Sequence, residues 1–482
     1  MSNKKIKHMK KTLSLLALLL LIIGNIQAQC YWKSVSISGR MGTGIKTDGT
    51  LWVWGDVVEA SLNSYSAFPV QVGTDNDWKS VSTGSNFRLA IKNNGTLWAW
   101  GSESNGYLGN GYILPNASTV YQPTQVGTDA DWKSVDCHNA LHTLAIKENG
   151  TLWVWGIKNT GALGVPSNDN IGFPTQIGTD TDWLFASVGF CHVSYGTAPV
   201  IFTSSFAIKN DGSLWTWGYN YQGTLGMPTF DPIITSPILI NTINNVISVT
   251  SYHGTTLAIK SDGTLWGSGV NLYGELGDGT TTSKPSFIQI GTDTNWFSVS
   301  KGKYHSLATK TDGTLWTWGN NQYGVLGTGN NIYNSFVPTQ VGTETNWSKV
   351  TGGNASCAAL KTDDSIWAWG LNTQTVLGIG MESNNSIRNY PTIISCNGLG
   401  INSNSLEGIK IYPNPVQDIL SFDFNQNKNV KKRIIFDLLG KKVIEQNDNS
   451  YGEIYVGELK PGIYLMKIYV DDTIYQQKFI KE

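Results

Sequence analysis

One hairpin, written seven times, constrains this chain more than any other feature. Each copy is an apolar strand ending in Lys, a turn, and Leu/Ile-Trp-x-x-Gly. The second copy shows it cleanly, as Leu89-Ala90-Ile91-Lys92, Asn93-Asn94-Gly95 and Thr96-Leu97-Trp98-Ala99-Trp100-Gly101. The closing glycines are Gly55, Gly101, Gly156, Gly218, Gly269, Gly319 and Gly370, which lie 46 to 62 residues apart. Short strands recurring at this period mark a β-propeller, whose units pack only on their neighbours. A chain of 482 residues can then fold without one oversized core.

Every unit runs in the same order. Trp-Lys-Ser-Val opens it, as in Trp78-Lys79-Ser80-Val81. The Lys-ended strand and the Trp strand follow, then a Gly-rich loop such as Gly324-Val325-Leu326-Gly327. A Pro-x-Gln-Val/Ile-Gly segment closes it, as in Pro338-Thr339-Gln340-Val341-Gly342. Asp48-Gly49, Asn94-Gly95 and their equivalents suit hairpin turns that need φ > 0. The seventh turn has Asp363-Asp364, tolerable because Asp can visit that region. Leu97 and Ala99 face one way and Trp98 and Trp100 the other, so the strand needs cover on both sides. A blade between two blades supplies it. All 19 tryptophans fall on the repeat and none after Trp369, so the C-terminal stretch is a different domain. Their fixed positions favour packing over a sugar-stacking ladder.

Charged residues are only 14% of the chain and the net charge is −1. No basic face is available for phosphates, which excludes nucleic acid as a partner. Lys4, Lys5, Lys7, Lys10 and Lys11 precede the apolar run Leu13 to Ile23 and a small-residue exit near Ala28-Gln29. This is the layout of a secretory signal peptide over 1–29, and the run is too short to span a bilayer. The expected mature protein is exported and has no transmembrane segment.

The motif after each hairpin, as in Trp217-Gly218-Tyr219-Asn220-Tyr221-Gln222-Gly223-Thr224-Leu225-Gly226, resembles the repeats of the regulator of chromosome condensation family. The resemblance implies an all-β fold, a seven-bladed β-propeller over 30–396. Two units depart from it: unit one has Asp56-Val57-Val58-Glu59 in place of the Gly-rich loop, and unit five has Ser268 in place of its second Trp. The family's exchange-factor activity is not carried over, because an exported chain does not meet the small GTPase concerned. Aligning the chain ends on the linker Gly342–Trp347 places Cys396 on Thr343 and Cys30 on Thr345. Sites that close suit a disulfide, so Cys30–Cys396 is expected to staple the ring.

A linker over 397–408 leads to 409–482, where period-2 alternation suggests a small β-sandwich. Tyr412-Pro413-Asn414-Pro415, Gly440-Lys441, Gly462, Tyr464 and Lys478-Phe479 resemble the type A C-terminal sorting domain of the type IX secretion system, found in Bacteroidetes. The resemblance implies the secretion machinery as a partner, removal of the tail, and a secreted or outer-cell-surface location.

Catalytic chemistry is hard to find. His138, His142, His192, His253 and His305 read as repeat positions without a partnered nucleophile. Cys137-His138 and Cys191-His192 read as buried small residues rather than a metal site. No cofactor is implied. The leading function is a non-catalytic binding protein for an unknown extracellular protein or glycan. The alternative is a propeller enzyme or lectin acting on extracellular polysaccharide. Loops that depart from the repeat, Tyr107 to Tyr121 and Tyr195 to Ser204, focus the search on blades one to four. The candidate contact residues are Tyr107, Tyr112, Tyr195, Phe202, Tyr219, Tyr221, Tyr273 and Tyr323.

Overall fold

The computed structural model describes residues 30–57, 65–113, 119–167, 169–195, 198–228, 233–329, 332–380, 385–395, 409–412, 416–424, 430–436, 442–446, 453–470 and 473–481. The expected signal peptide, the linker, Cys396, Pro413, Asn414, Pro415, Gly440 and Lys441 lie outside them. The chain divides into two compact units, 1–396 and 397–482.

The first unit is seven four-stranded antiparallel sheets, each with its strands in chain order. The blades run Trp32–Gln71, Trp78–Gln125, Trp132–Ile177, Trp183–Leu239, Val246–Gln289, Trp296–Gln340 and Trp347–Ile393. Each blade comes from one contiguous stretch, so no strand is exchanged between the first and last blades. The seven first strands line a common channel of about 300 Å³, and the fourth strands form the rim.

The hairpin turns are three-residue loops. Gly95 N–H donates to Lys92 O at 2.9 Å, Lys92 N–H donates to Thr96 O at 3.0 Å, and Gly95 has φ 80°. That is a type I turn closed by a left-handed residue. Asp364 takes φ 62° in the seventh copy, as its sequence position required. The Lys ending each second strand packs at this end. Lys92 Nζ lies 4.9 Å and 4.8 Å from the Trp78 and Trp98 ring centroids and 2.6 Å from Asp75. The half-buried Trp98 in turn donates Nε1–H to Thr96 Oγ1 at 2.9 Å. Cation–π contact and a carboxylate together fix the ammonium over the opening Trp.

Every rim strand carries a proline, from Pro69 in blade one to Pro391 in blade seven. In blade six the pairing jumps from Thr317↔Thr339 to Gly319↔Ser335, which leaves Phe336, Val337 and Pro338 in a bulge. Proline lacks the N–H of a ladder and belongs on such edges. The bulged carbonyls serve the next seam: Gly279 N–H donates to Phe336 O at 2.9 Å and Gly329 N–H to Asn389 O at 2.8 Å. The Gly-rich loop of one blade therefore reaches onto the rim strand of the next. Gly223 shows why glycine is needed there, because a Cβ would stand 2.3 Å from Pro285 Cα.

The second hairpin Trp completes the seam. Trp155, Trp217, Trp318 and Trp369 donate Nε1–H to the carbonyls of Tyr107, Ala162, Glu275 and Val325 in the preceding blade, at 2.8 to 3.1 Å. Trp54 does the same to Val376 O at 2.9 Å, joining blade one to blade seven. The two exceptions follow the two departures in sequence. Trp100 faces unit one and its buried Nε1 has no partner. Blade five has Ser268 instead, and Thr256 Oγ1 donates to Thr224 O at 2.7 Å. Cys30 is buried, and Cys137, Cys191 and Cys357 are buried free thiols.

The second unit holds two sheets, one of three strands and one of four. Leu420, Ile454 and Val456 share an apolar core with Ile435, Tyr464, Met466 and Phe479. Tyr412 ends the strand Ile409–Tyr412, Gly462 opens Gly462–Val470, and Lys478 lies in Thr473–Lys481. Tyr464 stacks on Phe479 at 5.7 Å and donates to Lys460 O at 2.9 Å.

Candidate binding site at the mouth of the ring

In an antiparallel blade the first-to-second and third-to-fourth connections emerge at the same end. The first-to-second loops are tight, closed in blade two by Gly84 N–H to Phe87 O at 2.9 Å and in blade six by Gly302 N–H to His305 O at 2.9 Å. Their tips converge around a cavity of about 530 Å³ at the mouth of the ring. Arg40, Asn86, Asn139, Tyr252, Lys303, Tyr304 and Asn354 come from six of the seven blades. Gln322 and Tyr323 are added by the Gly-rich loop of blade six.

Aromatic contacts fix the wall. Tyr304 meets His253 edge-on at 4.6 Å and Tyr273 at 5.1 Å, and Lys303 Nζ lies 5.1 Å from its ring. Burial pulls the Lys303 ammonium below its usual range. Behind it Lys301 is fully buried and donates to His305 O at 3.1 Å and Ser306 Oγ at 2.9 Å. Burial pushes Lys301 down to about 7, against the pull of Glu275. The Glu275 carboxyl is itself raised by burial.

One side-chain pair was invisible in the sequence. Cys357 Sγ lies 3.0 Å from His305 Nε2, joining residues 52 positions apart. Both are buried. Burial drives the thiol well above its usual range and the imidazole down to about 3, so both are neutral. A nucleophilic pair needs a thiolate, so this one is a packing contact. Burial likewise raises Cys191 to about 12 and raises Cys137. Among the described residues no three His, Cys, Asp or Glu side chains gather as a metal site would require.

Of the eight candidate contact residues, Tyr323 lines the mouth and Tyr273 backs Tyr304. Tyr107 is buried and stacks on Phe87 at 5.2 Å, so it is core. Tyr112 is exposed, away from the cavity. The expected loop Tyr195 to Ser204 is instead the end of a long hairpin, Trp183–Tyr195 paired with Ala198–Lys209. Phe202 is buried there and forms a separate stack with Tyr219 at 4.0 Å and Tyr221 at 5.7 Å. The extension leans on blade five through His253 N–H to Phe190 O at 2.6 Å and on blade three through Asn159 Nδ2–H to Ile201 O. The search centred on blades one to four therefore moves: most of the mouth's aromatic and cationic wall is in blades five and six. Arg40, Asn86, Lys303 and Asn354 were missed because they sit in short turns that look like punctuation.

Seven four-stranded blades, seamed by tryptophan and Gly-rich loops, define a seven-bladed β-propeller. The Regulator of chromosome condensation (RCC1) repeat model matches residues 211–259, 262–309 and 312–360, and a second model of that repeat matches 78–106 and 298–325. The Secretion system C-terminal sorting domain model matches 410–482. The chain thus carries RCC1 repeats followed by a type IX sorting domain. The Ultraviolet-B receptor UVR8 of Arabidopsis thaliana is 28% identical over 152 residues, covering 31% of this chain and 32% of that protein. The RCC1 domain-containing protein RUG3, mitochondrial, also of Arabidopsis thaliana, is 31% identical over 140 residues, covering 29% and 28%. The chain spans about a third or less of these relatives. Among solved structures, human WBSCR16 gives a TM-score of 0.59 at 19% identity, covering 75% of this chain and 94% of that one. Yeast RCC1 (Prp20) bound to Kap60 gives 0.59 at 16%, covering 83% and 91%. These likenesses show the fold. No helix among the described residues is long and apolar enough to cross a membrane.

Proposed function

We propose that this chain is an exported, non-catalytic binding protein, whose ligand seats at the loop end of the propeller. The observation that carries this reading is the cavity at the mouth, built from loops of six blades on a chain that also carries a sorting domain. A volume of about 530 Å³ suits a small ligand or the tip of a larger one. The tail engages the type IX machinery and is removed after passage, leaving the propeller secreted or on the outer cell surface. Residues 1–29 act as the signal for the first export step, and Cys30–Cys396 closes the ring in the oxidising compartment.

The test is binding by the exported propeller, after tail removal, to a glycan array and to extracellular proteins in pull-down. Capture of an intact glycan or a defined protein at the loop end supports the reading. Cleavage of a bound polysaccharide replaces it with the enzyme alternative. Loss of binding on substituting rim residues, with mouth variants silent, would move the site elsewhere.

A further inference from the structure

The charge of the mouth is lopsided. Arg40 and Lys303 line it, and among the described residues no Asp or Glu does. Neither cation has an ion-pair partner among the described residues. The contrast with the opposite end is instructive. There Lys92, Lys147, Lys209, Lys310 and Lys361 each hold a carboxylate at 2.6 to 2.8 Å. Lys303 is half-buried against a tyrosine face and lacks that counter-charge. An ammonium partly withdrawn from water without an anion is unfavourable, and a ligand anion would relieve it.

The rest of the wall describes what surrounds that anion. Asn86, Gln322 and Asn354 are exposed amides whose side chains have no hydrogen-bond partner among the described residues. Each offers both donors and an acceptor, the pattern that neighbouring hydroxyls require. Tyr304 and Tyr323 supply flat apolar faces with polar edges. The wall is rich in amides and phenols, with Val325, Ala355 and Leu371 as its aliphatic members.

We infer that the mouth binds an acidic sugar, with Lys303 and Arg40 holding its carboxylate or sulfate, the amides meeting its hydroxyls, and a tyrosine face stacking on its ring. This rests on the mouth being the binding site, and it goes further in naming the ligand's chemistry.

The experiment is calorimetric titration of the exported propeller with oligogalacturonate, with a sulfated dextran oligosaccharide, and with neutral dextran oligosaccharide as the uncharged probe. Binding of one acidic probe, weakened by raised salt, is expected. Lys303→Gln and Arg40→Gln should each weaken it about tenfold or more, as loss of a charged hydrogen bond implies. Lys79→Gln, at the end of blade two's first strand away from the mouth and paired with Glu148, should leave it unchanged. Thermal melting of each variant confirms folding. The two acidic probes separate carboxylate from sulfate. Equal binding of neutral dextran, insensitive to Lys303→Gln, overturns the acidic ligand yet keeps the mouth as a binding site. No binding of any sugar, with a protein captured by the mouth, overturns the sugar but keeps the binding role. Binding that survives Lys303→Gln, Arg40→Gln and Tyr304→Ala alike overturns both.

Discussion

At the scale of single residues, the second hairpin Trp packs its ring in a seam and donates its one N–H across it. The two contributions can be separated because Trp100 packs without donating, whereas Trp318 gives Glu275 O a 2.8 Å bond. Replacement by Phe removes similar volume at both sites. Trp318→Phe should therefore cost about 1 kcal/mol more than Trp100→Phe, measured by urea unfolding; equal losses would deny the bond any net role. The buried histidines give the molecule an acid limit. Burial holds both His142 and His305 down to about 3. The unfolded chain takes up protons near pH 6.5 while the folded chain does not, so stability falls as pH drops below about 6.5. At pH 5 each contributes a loss of roughly 2 kcal/mol. The melting temperature should fall between pH 7 and pH 5, and His142→Gln should flatten that slope; an unchanged slope would show that His142 charges freely in the fold.

At the scale of elements, the rim strands are the exposed edges of seven sheets, and such edges invite pairing with other chains. Proline within a bulge removes a donor and bends the edge, as at Pro338. Replacing Pro123, Pro174 and Pro338 together with Val should restore a flatter edge and give concentration-dependent association relative to the parent chain, read by light scattering after size exclusion. An unchanged elution would assign edge protection to the bulge itself rather than to its proline. These same elements show what a sequence can disclose. The repeat, the turns and the seams were legible because a blade reuses one local chemistry: Gly95 needs a left-handed φ and Trp98 needs Lys92. The departures at unit one and Ser268 coincide with the two places where the seam bond changes. The mouth was less legible. Lys303 and Arg40 lie 263 positions apart and line one cavity only because the ring closes, and nothing local in a three-residue turn distinguishes a tip that lines a cavity. Phe202 and Tyr107 misled for the opposite reason, since an aromatic in an irregular stretch looks exposed until its stacking partner is known. Blade four's hairpin read as a loop because its extension has no repeat to be compared with.

At the scale of the whole molecule, the question is what closes the ring. The closing seam has the same noncovalent contacts as the others. Trp32 N–H donates to Asp364 O at 2.7 Å, as Trp78 N–H does to Gly49 O at 3.1 Å. Trp54 reaches Val376 O, Thr375 Oγ1 reaches Ser66 O at 2.9 Å, and Gly380 N–H reaches Ala67 O at 2.8 Å. What this seam lacks is the peptide linker, and no strand is exchanged to replace it. The covalent link matters chiefly in the unfolded chain, where its absence leaves the two end blades far freer. A disulfide from Cys30 would restrict that freedom, and loss of a native disulfide typically costs about 2–5 kcal/mol. Cys30→Ser should therefore lower stability by that amount in the exported propeller. The loss should be local in origin: amide exchange should quicken first in Trp32–Ile37 and in blade seven, while blade four keeps its protection. Reduction of the parent chain should reproduce the effect, and reduction of Cys30→Ser should add nothing. If Cys30→Ser melts with the parent, or a peptide map of the exported protein pairs Cys30 with a cysteine other than Cys396, the closing seam holds by its hydrogen bonds and indole packing alone.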